Sequence, residues 1–419
     1  MDYTCFIKLF IMIMAVLITG TSGLSRKWYV NLPIFIVCTV LETCLAWLFF
    51  PEYMFYPAVA SLGILVLSWT WERIKPSGKA RNTRPIRLPV ESGFRDAHLE
   101  FYYHYSNFLV YGGAGSGKTK SIGKWLLSEY MRLGFAGFIY DFKDTDYTRT
   151  AYNLIKKHNY PHKFYYVSFD RPERSYRFNP LKVVKDRTEL IQLMEDILLA
   201  LLPKKEQQNE WVAGGLGILR GVAFRFWDEF PEYCTLPHIL AFIMTASTRQ
   251  LSLFLQQNLV SEMLAGAYLK AEGSEKTQAS YLSTLCNNLA TISQNEEIAY
   301  VLSGDDFDFN LIDPESPKMF AVSNNFSKNS VYAPVISMLM TISARQFSMQ
   351  NRIPFVYFLD EMTTVNIKNF ETLPSVLREY KAAFVLLTQS GAKLENLYGK
   401  LDRSSVEANF GNMFLGRTK

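Results

Sequence analysis

The sequence predicts an α/β fold: a P-loop nucleotide-binding domain with an all-α insertion, preceded by N-terminal transmembrane helices. Three observations carry this reading. The stretch Gly112-Gly113-Ala114-Gly115-Ser116-Gly117-Lys118-Thr119 fits the pattern G-x-x-x-x-G-K-[ST]. A short apolar run from Phe355 to Leu359 ends downstream in Asp360-Glu361. Hydrophobic residues make up 49% of the 419-residue chain, and their excess sits at the N-terminus.

Three apolar stretches open the chain: Phe6 to Leu24, Trp28 to Phe50 and Tyr53 to Trp71. The second and third are long enough to span a bilayer, with Pro51-Glu52 as the turn between them. Trp28, Tyr29, Tyr53, Trp69 and Trp71 sit near stretch ends, where aromatic rings favour the headgroup zone. Residues 1–72 are therefore expected to be a transmembrane region of two or three helices. Arg73, Lys75, Lys79, Arg81, Arg84 and Arg87 follow the last stretch, so that side is expected to be cytoplasmic. Pro76, Pro85 and Pro89, with Gly78 and Gly93, mark residues 73–97 as a basic linker. Glu42 lies inside the second stretch. A carboxylate there is a functional candidate, although a neutral carboxyl, or one hydrogen-bonded between helices of an oligomer, explains it more simply.

The five cysteines form no C-x-x-C pair, which argues for a reducing compartment. The five histidines show no metal-ligand spacing, so zinc is not implied. A net charge of +5 allows an anionic partner without identifying one.

The P-loop lies between a short apolar run, Asn107 to Tyr111, and helical spacing from Ile122 to Leu133. Glycines let the backbone curl into a nest of inward N–H groups that bind phosphate oxygens. Gly112 to Lys120 form the expected nucleotide-binding set. Within it, Lys118 neutralises the β- and γ-phosphates and Thr119 offers a hydroxyl to Mg²⁺. Gly137 to Asp141 reads as a buried parallel strand, with Lys143 just beyond it. Ligands in such sheets bind at the carboxyl ends of strands. A helix from Tyr147 to Lys157 and a strand from Phe164 to Phe169 follow.

From about residue 186 to 303 the apolar spacing is helical throughout, which predicts an all-α domain. Residues 98–185 and 304–419 then form the nucleotide-binding domain on either side of it. Strand signals return at Met319 to Ser323 and at Phe355 to Leu359. Asp360 is the candidate metal ligand and Glu361 the candidate general base. The strand Ala383 to Thr388 ends at Gln389, an amide able to sense the terminal phosphate. Arg378, on the helix before that strand, is a candidate arginine finger toward a neighbour's nucleotide.

This order of motifs resembles the type IV secretion and conjugation coupling ATPases of the TraG/TraD (MobC-like) family. The likeness rests on the N-terminal spans, Gly113 to Thr119, Asp141, the Asn179-Pro180-Leu181 turn and the Phe358 to Glu361 run. Thr388-Gln389-Ser390 with Leu394, Tyr398 and Gly399 also belongs to it, as does Asn409 with Phe414-Leu415-Gly416. The resemblance implies a RecA-like motor using ATP and Mg²⁺, usually a homo-hexamer on the bacterial inner membrane with its ATPase domain cytoplasmic. Its implied partners are single-stranded DNA bound to a relaxase and the proteins of the secretion channel, with the all-α domain facing the relaxosome. Two departures stand out. The family often has D-x-K-G-E where this chain has Asp141-Phe142-Lys143-Asp144-Thr145. Members usually continue beyond the Asn412 to Leu415 strand, so a shortened version or a fragment is expected. Two other functions stay open: a nucleotide-binding membrane scaffold with little turnover, and a double-strand DNA translocase or channel-assembly ATPase.

Overall fold

The second apolar stretch folds as helix α1 (Trp28–Phe49) in a computed structural model of the chain. Pro51, which has no N–H to donate, begins the short 3-10 turn that ends it. Residues 56–64 are helical again. The Ser61 hydroxyl lies 2.8 Å from both carboxylate oxygens of Glu42, so this carboxylate has a polar partner. The described residues are 8, 10–11, 13–16, 28–53, 56–64, 84–90, 97–143, 145–202 and 206–416. The rest of the first stretch, the end of the third and linker residues 73–83 lie outside them. Among the described residues no helix is long and apolar enough to cross a membrane.

Residues 84–419 form a second unit. Strands β1 (Ile86–Val90) and β2 (Ala97–Phe101) pair antiparallel within it. The expected linker covered β1 because Pro85, Pro89 and the basic residues read as punctuation. Yet Ile86 and Leu88 alternate with Arg87 and Pro89, and this period of two buries the pair.

Seven further strands build one sheet: β3 (Phe108–Tyr111), β4 (Ala136–Asp141), β5 (Lys163–Ser168), β6 (Lys318–Ser323), β7 (Phe355–Leu359), β8 (Ala382–Thr388) and β9 (Asn412–Leu415). Their spatial order is β5-β6-β4-β7-β8-β3-β9, and every pairing is parallel. Buried on both faces, these strands read in sequence as continuous apolar runs. Side chains nevertheless alternate between two cores. Phe355, Tyr357 and Leu359 enter one, whereas Val356 and Phe358 enter the other.

The Val356 face is covered by α2 (Lys124–Arg132) and α3 (Asp146–His158) through Leu127, Tyr130, Met131, Tyr147 and Ala151. On the opposite face lies a helical array: α4 (Arg187–Ala200), α5 (Glu210–Glu229), α6 (Leu236–Thr245), α7 (Thr248–Gln256), α8 (Leu259–Leu264), α9 (Gly266–Lys270), α10 (Glu275–Ser293) and α11 (Glu296–Leu302). It contains no strand among the described residues. Its core is continuous with the sheet through α12 (Asn329–Arg345), whose Arg345 pairs with Asp196 on α4 at 2.6 Å. The chain closes with α13 (Leu373–Glu379), α14 (Gly391–Tyr398), α15 (Lys400–Ala408) and β9.

Asn107 fixes β3 in this order. Its φ of 53° is a left-handed conformation that Asn tolerates. Its Nδ2 donates to the Asn409 carbonyl at 2.9 Å, and its Oδ1 accepts from the Phe384 N–H at 2.9 Å. The side chain therefore ties the P-loop strand to both of its neighbours. Asn107→Ala strands the buried Phe384 N–H and the part-buried Asn409 carbonyl and is expected to cost about 3 kcal/mol. A urea midpoint equal to that of the unaltered chain would refute this.

Candidate nucleotide-binding site

The P-loop leaves the carboxyl end of β3, where the Gly112 N–H donates to the Thr388 carbonyl on β8 at 3.2 Å. Gly115 and Gly117 have φ of 73° and 83°, so these two glycines turn the loop. Gly112 is demanded by space. A Cβ there would come within 2.4 Å of Ser116 Oγ and 2.8 Å of Lys118 Cγ. Lys118 to Gly123 then wind as a π-helical turn before α2 begins. Such turns recur at functional sites.

Strand order completes the site. Because β8 lies between β3 and β7, its end brings Gln389 between the P-loop and the acidic pair. Because β7 also pairs with β4, the Asp360 N–H donates to the Tyr140 carbonyl, and Asp141 comes alongside. Three donors converge on one oxygen, Glu361 Oε1. Lys118 Nζ lies at 3.4 Å, Gln389 Nε2 at 3.4 Å and Lys143 Nζ at 3.6 Å. Lys118 also donates to the Gly112 carbonyl. Glu361 is buried and sits at φ 45°, ψ 48°, a left-handed conformation that a non-glycine residue rarely adopts. Its carbonyl accepts from both the N–H and the hydroxyl of Thr364, which hold the turn. Strain kept in place by its surroundings is a mark of functional sites.

Nine buried side-chain polar atoms lack a hydrogen-bond partner among the described residues. Six of them lie here: Ser116 Oγ, Asp141 Oδ1, both carboxylate oxygens of Asp360, Glu361 Oε2 and Thr388 Oγ1. Orphaned polar atoms are costly, so their concentration marks a place built to receive polar ligands. Burial pushes the Asp360 carboxyl up to about 7, opposed by the nearby Lys143 and Lys118 and reinforced by Glu361 and Asp141. Burial likewise raises Asp141, while hydrogen bonds from the Thr148 N–H and hydroxyl to its Oδ2 hold it down. Among the described residues no group of three or more His, Cys, Asp or Glu could hold a metal ion. Mg²⁺ takes one or two protein oxygens and completes its shell with water and phosphate; the Asp360 oxygens, which have no partner among the described residues, suit that role.

The structure brings together Gly112 to Lys120, Asp360, Glu361 and Gln389 from three separated stretches. Arg378 is not among them. It is exposed at the end of α13, ahead of the amino end of β8. The seven residues of β8 then separate it from Gln389 by roughly 20 Å. Two residues join the site beyond the expected catalytic set. Lys143 was legible as the residue just past a strand end. Lys393, which donates to Gln389 Oε1 at 2.6 Å, had only its spacing of four from Gln389 as a signal.

Solved structures similar to the chain include the bacterial conjugative coupling protein TrwBdeltaN70 in complex with sulphate, at TM-score 0.60 and 16% identity, covering 79% of this chain and 78% of that one. TrwB in complex with ADP and Mg²⁺ matches at TM-score 0.58 and 15% identity, covering 78% of each chain. TrwB with a non-hydrolysable ATP analogue matches at 0.57 and 17%, covering 78% of this chain and 77% of that one. At these identities the likeness shows the fold, an α/β parallel sheet with a helical domain. No curated protein matches the chain. The model of the family described as the type IV secretion-system coupling protein DNA-binding domain matches residues 99–419, and the chain belongs to the type IV secretion-system coupling proteins.

Proposed function

We propose that this chain is the ATP-driven motor of a conjugative or mobilisation system. It sits at the bacterial inner membrane, recruits relaxase-bound single-stranded DNA and drives it into a type IV secretion channel. The observation that carries the reading is the convergence of Lys118, Gln389 and Lys143 on Glu361, beside the unpartnered carboxylate of Asp360 and the P-loop. Family membership and the nucleotide complexes of TrwB support it.

Residues 98–185 and 304–419 act as the RecA-like nucleotide-binding domain, and 186–303 as the helical domain that meets the relaxosome. Residues 1–72 serve as the multi-pass anchor, with the ATPase domain on the cytoplasmic side. Gly112 to Lys120 cradle the phosphates of ATP. Lys118 moves from Glu361 to the phosphates, since a terminal phosphate presents more negative charge than one carboxylate. That exchange frees Glu361 to take a proton from the attacking water. Gln389 turns its amide N–H toward the terminal phosphate. Thr119 and Asp360 hold Mg²⁺, which neutralises charge on the phosphate oxygens. Arg378 acts across a subunit boundary, on the nucleotide of the next subunit in a hexameric ring.

The test is Mg²⁺-dependent ATP hydrolysis by the full chain in detergent, with and without single-stranded DNA, beside Lys118→Ala. Turnover stimulated by DNA and abolished by the substitution is the expected result. Phosphate contacts predict that DNA binding weakens by about 10³-fold or more between 50 and 200 mM salt. Nucleotide binding without turnover, with DNA present, would make the chain a scaffold instead.

A further inference from the structure

The two ends of the Gln389 amide do opposite things. Oε1 only accepts hydrogen bonds and Nε2 only donates. A phosphate oxygen is attracted by one end and repelled by the other, so the orientation of the amide decides whether the residue helps or hinders. In the structure Lys393 Nζ donates to Oε1 at 2.6 Å, and Nε2 points to Glu361 Oε1 at 3.4 Å. An ammonium has donors only, so it can meet Oε1 and never Nε2.

We propose that Lys393 is a positioning residue for Gln389: its ammonium locks the amide with the N–H end turned toward Glu361 and the phosphate. This rests on the reading of Gln389 as the residue that meets the terminal phosphate. Lys393 lies in the first turn of α14, where a cation opposes the helix dipole. Helix stability therefore does not account for it. The helix that carries it is well held. Leu394 is fully buried, and Arg403 Nη1 pairs with Glu395 Oε2 at 2.9 Å. The Arg403 guanidinium also packs over Gly391, where a Cβ would meet Nη2 at 2.5 Å. Lys393 itself is exposed, so its loss leaves the core intact. Without it, a half-turn of the amide would present Oε1 to Glu361 and to phosphate.

The experiment measures ATP turnover by the full chain in detergent for Lys393→Met, Lys393→Arg, Gln389→Ala and the Lys393→Met/Gln389→Ala double variant. Lys393→Met is expected to lower kcat about tenfold, with KM within about twofold and an unchanged thermal midpoint. Lys393→Arg keeps a donor-only cation and retains most activity. The double variant is no slower than Gln389→Ala alone, because both changes remove one unit. A raised KM at unchanged kcat would make Lys393 a direct phosphate contact and overturn the proposal, as would additive losses in the double variant. Gln389→Ala at full activity overturns the reading beneath it. A slow Gln389→Ala beside a fully active Lys393→Met overturns the positioning role alone.

Discussion

Glu361→Gln is expected to lower ATP turnover about 10³-fold while nucleotide still binds. The amide keeps the size of the carboxylate and can still accept from Lys118, but it cannot take a proton. The loss should therefore appear in kcat, read as phosphate release at saturating nucleotide, with affinity for a non-hydrolysable analogue held within about threefold. Two features make Glu361 the residue to change. It is fully enclosed beside the P-loop, and it meets three donors through one oxygen while its other oxygen has no partner among the described residues. Its left-handed backbone would suit glycine better, so a glutamate there is explained by what its side chain does. Turnover within threefold of the unaltered chain would end the general-base assignment. DNA transfer that survived such a loss would separate the function from hydrolysis altogether.

Asp360→Asn is expected to stabilise the metal-free chain at pH 8 and to abolish its response to Mg²⁺. Burial holds the Asp360 carboxyl near 7, against 3.8 for an unperturbed aspartate. The folded state thus keeps a proton that the unfolded chain releases. The stability this group contributes is complete below pH 4 and is lost as pH rises toward 7. Above 7 the folded chain carries an enclosed charge with no hydrogen-bond partner among the described residues. Asparagine does not titrate, so the advantage of the variant should grow between pH 4 and 7 and then level. Its size is on the order of 4 kcal/mol, which would raise the thermal midpoint by several degrees. Mg²⁺ with nucleotide should reverse the ranking, because only the carboxylate offers a full charge to the cation. A difference between the two chains that does not vary with pH would show that Asp360 is not buried as an unpaired acid.

Both residues were legible before any fold was known, because their chemistry demands particular residue types at short spacing. A phosphate-cradling loop needs glycines and a lysine within eight positions. A buried parallel strand needs an unbroken apolar run, and the roles proposed for Asp360 and Glu361 need carboxylates at its end. The helical texture of 186–303 was equally plain, since the period of an amphipathic helix is local. Where the signals were mixed, reading failed. β1 was hidden by Pro85 and Pro89, although Ile86 and Leu88 carry the two-residue period of a strand.

The phosphate loop, the acidic pair, the strand-end glutamine and the resemblance to the coupling ATPases can be read from the chain before it folds, because each is written within a few consecutive residues. Only folding set β8 between β3 and β7. This brings Lys118, Glu361, Gln389 and Lys393 together and leaves Arg378 at the far end of the sheet. Folding also gave the helical domain one core shared with a sheet face, through α12. The physical reason is that strand order follows from pairings between residues hundreds of positions apart. Asn107 with Phe384 and Asn409 is one of them, and such pairings leave no periodicity in the chain.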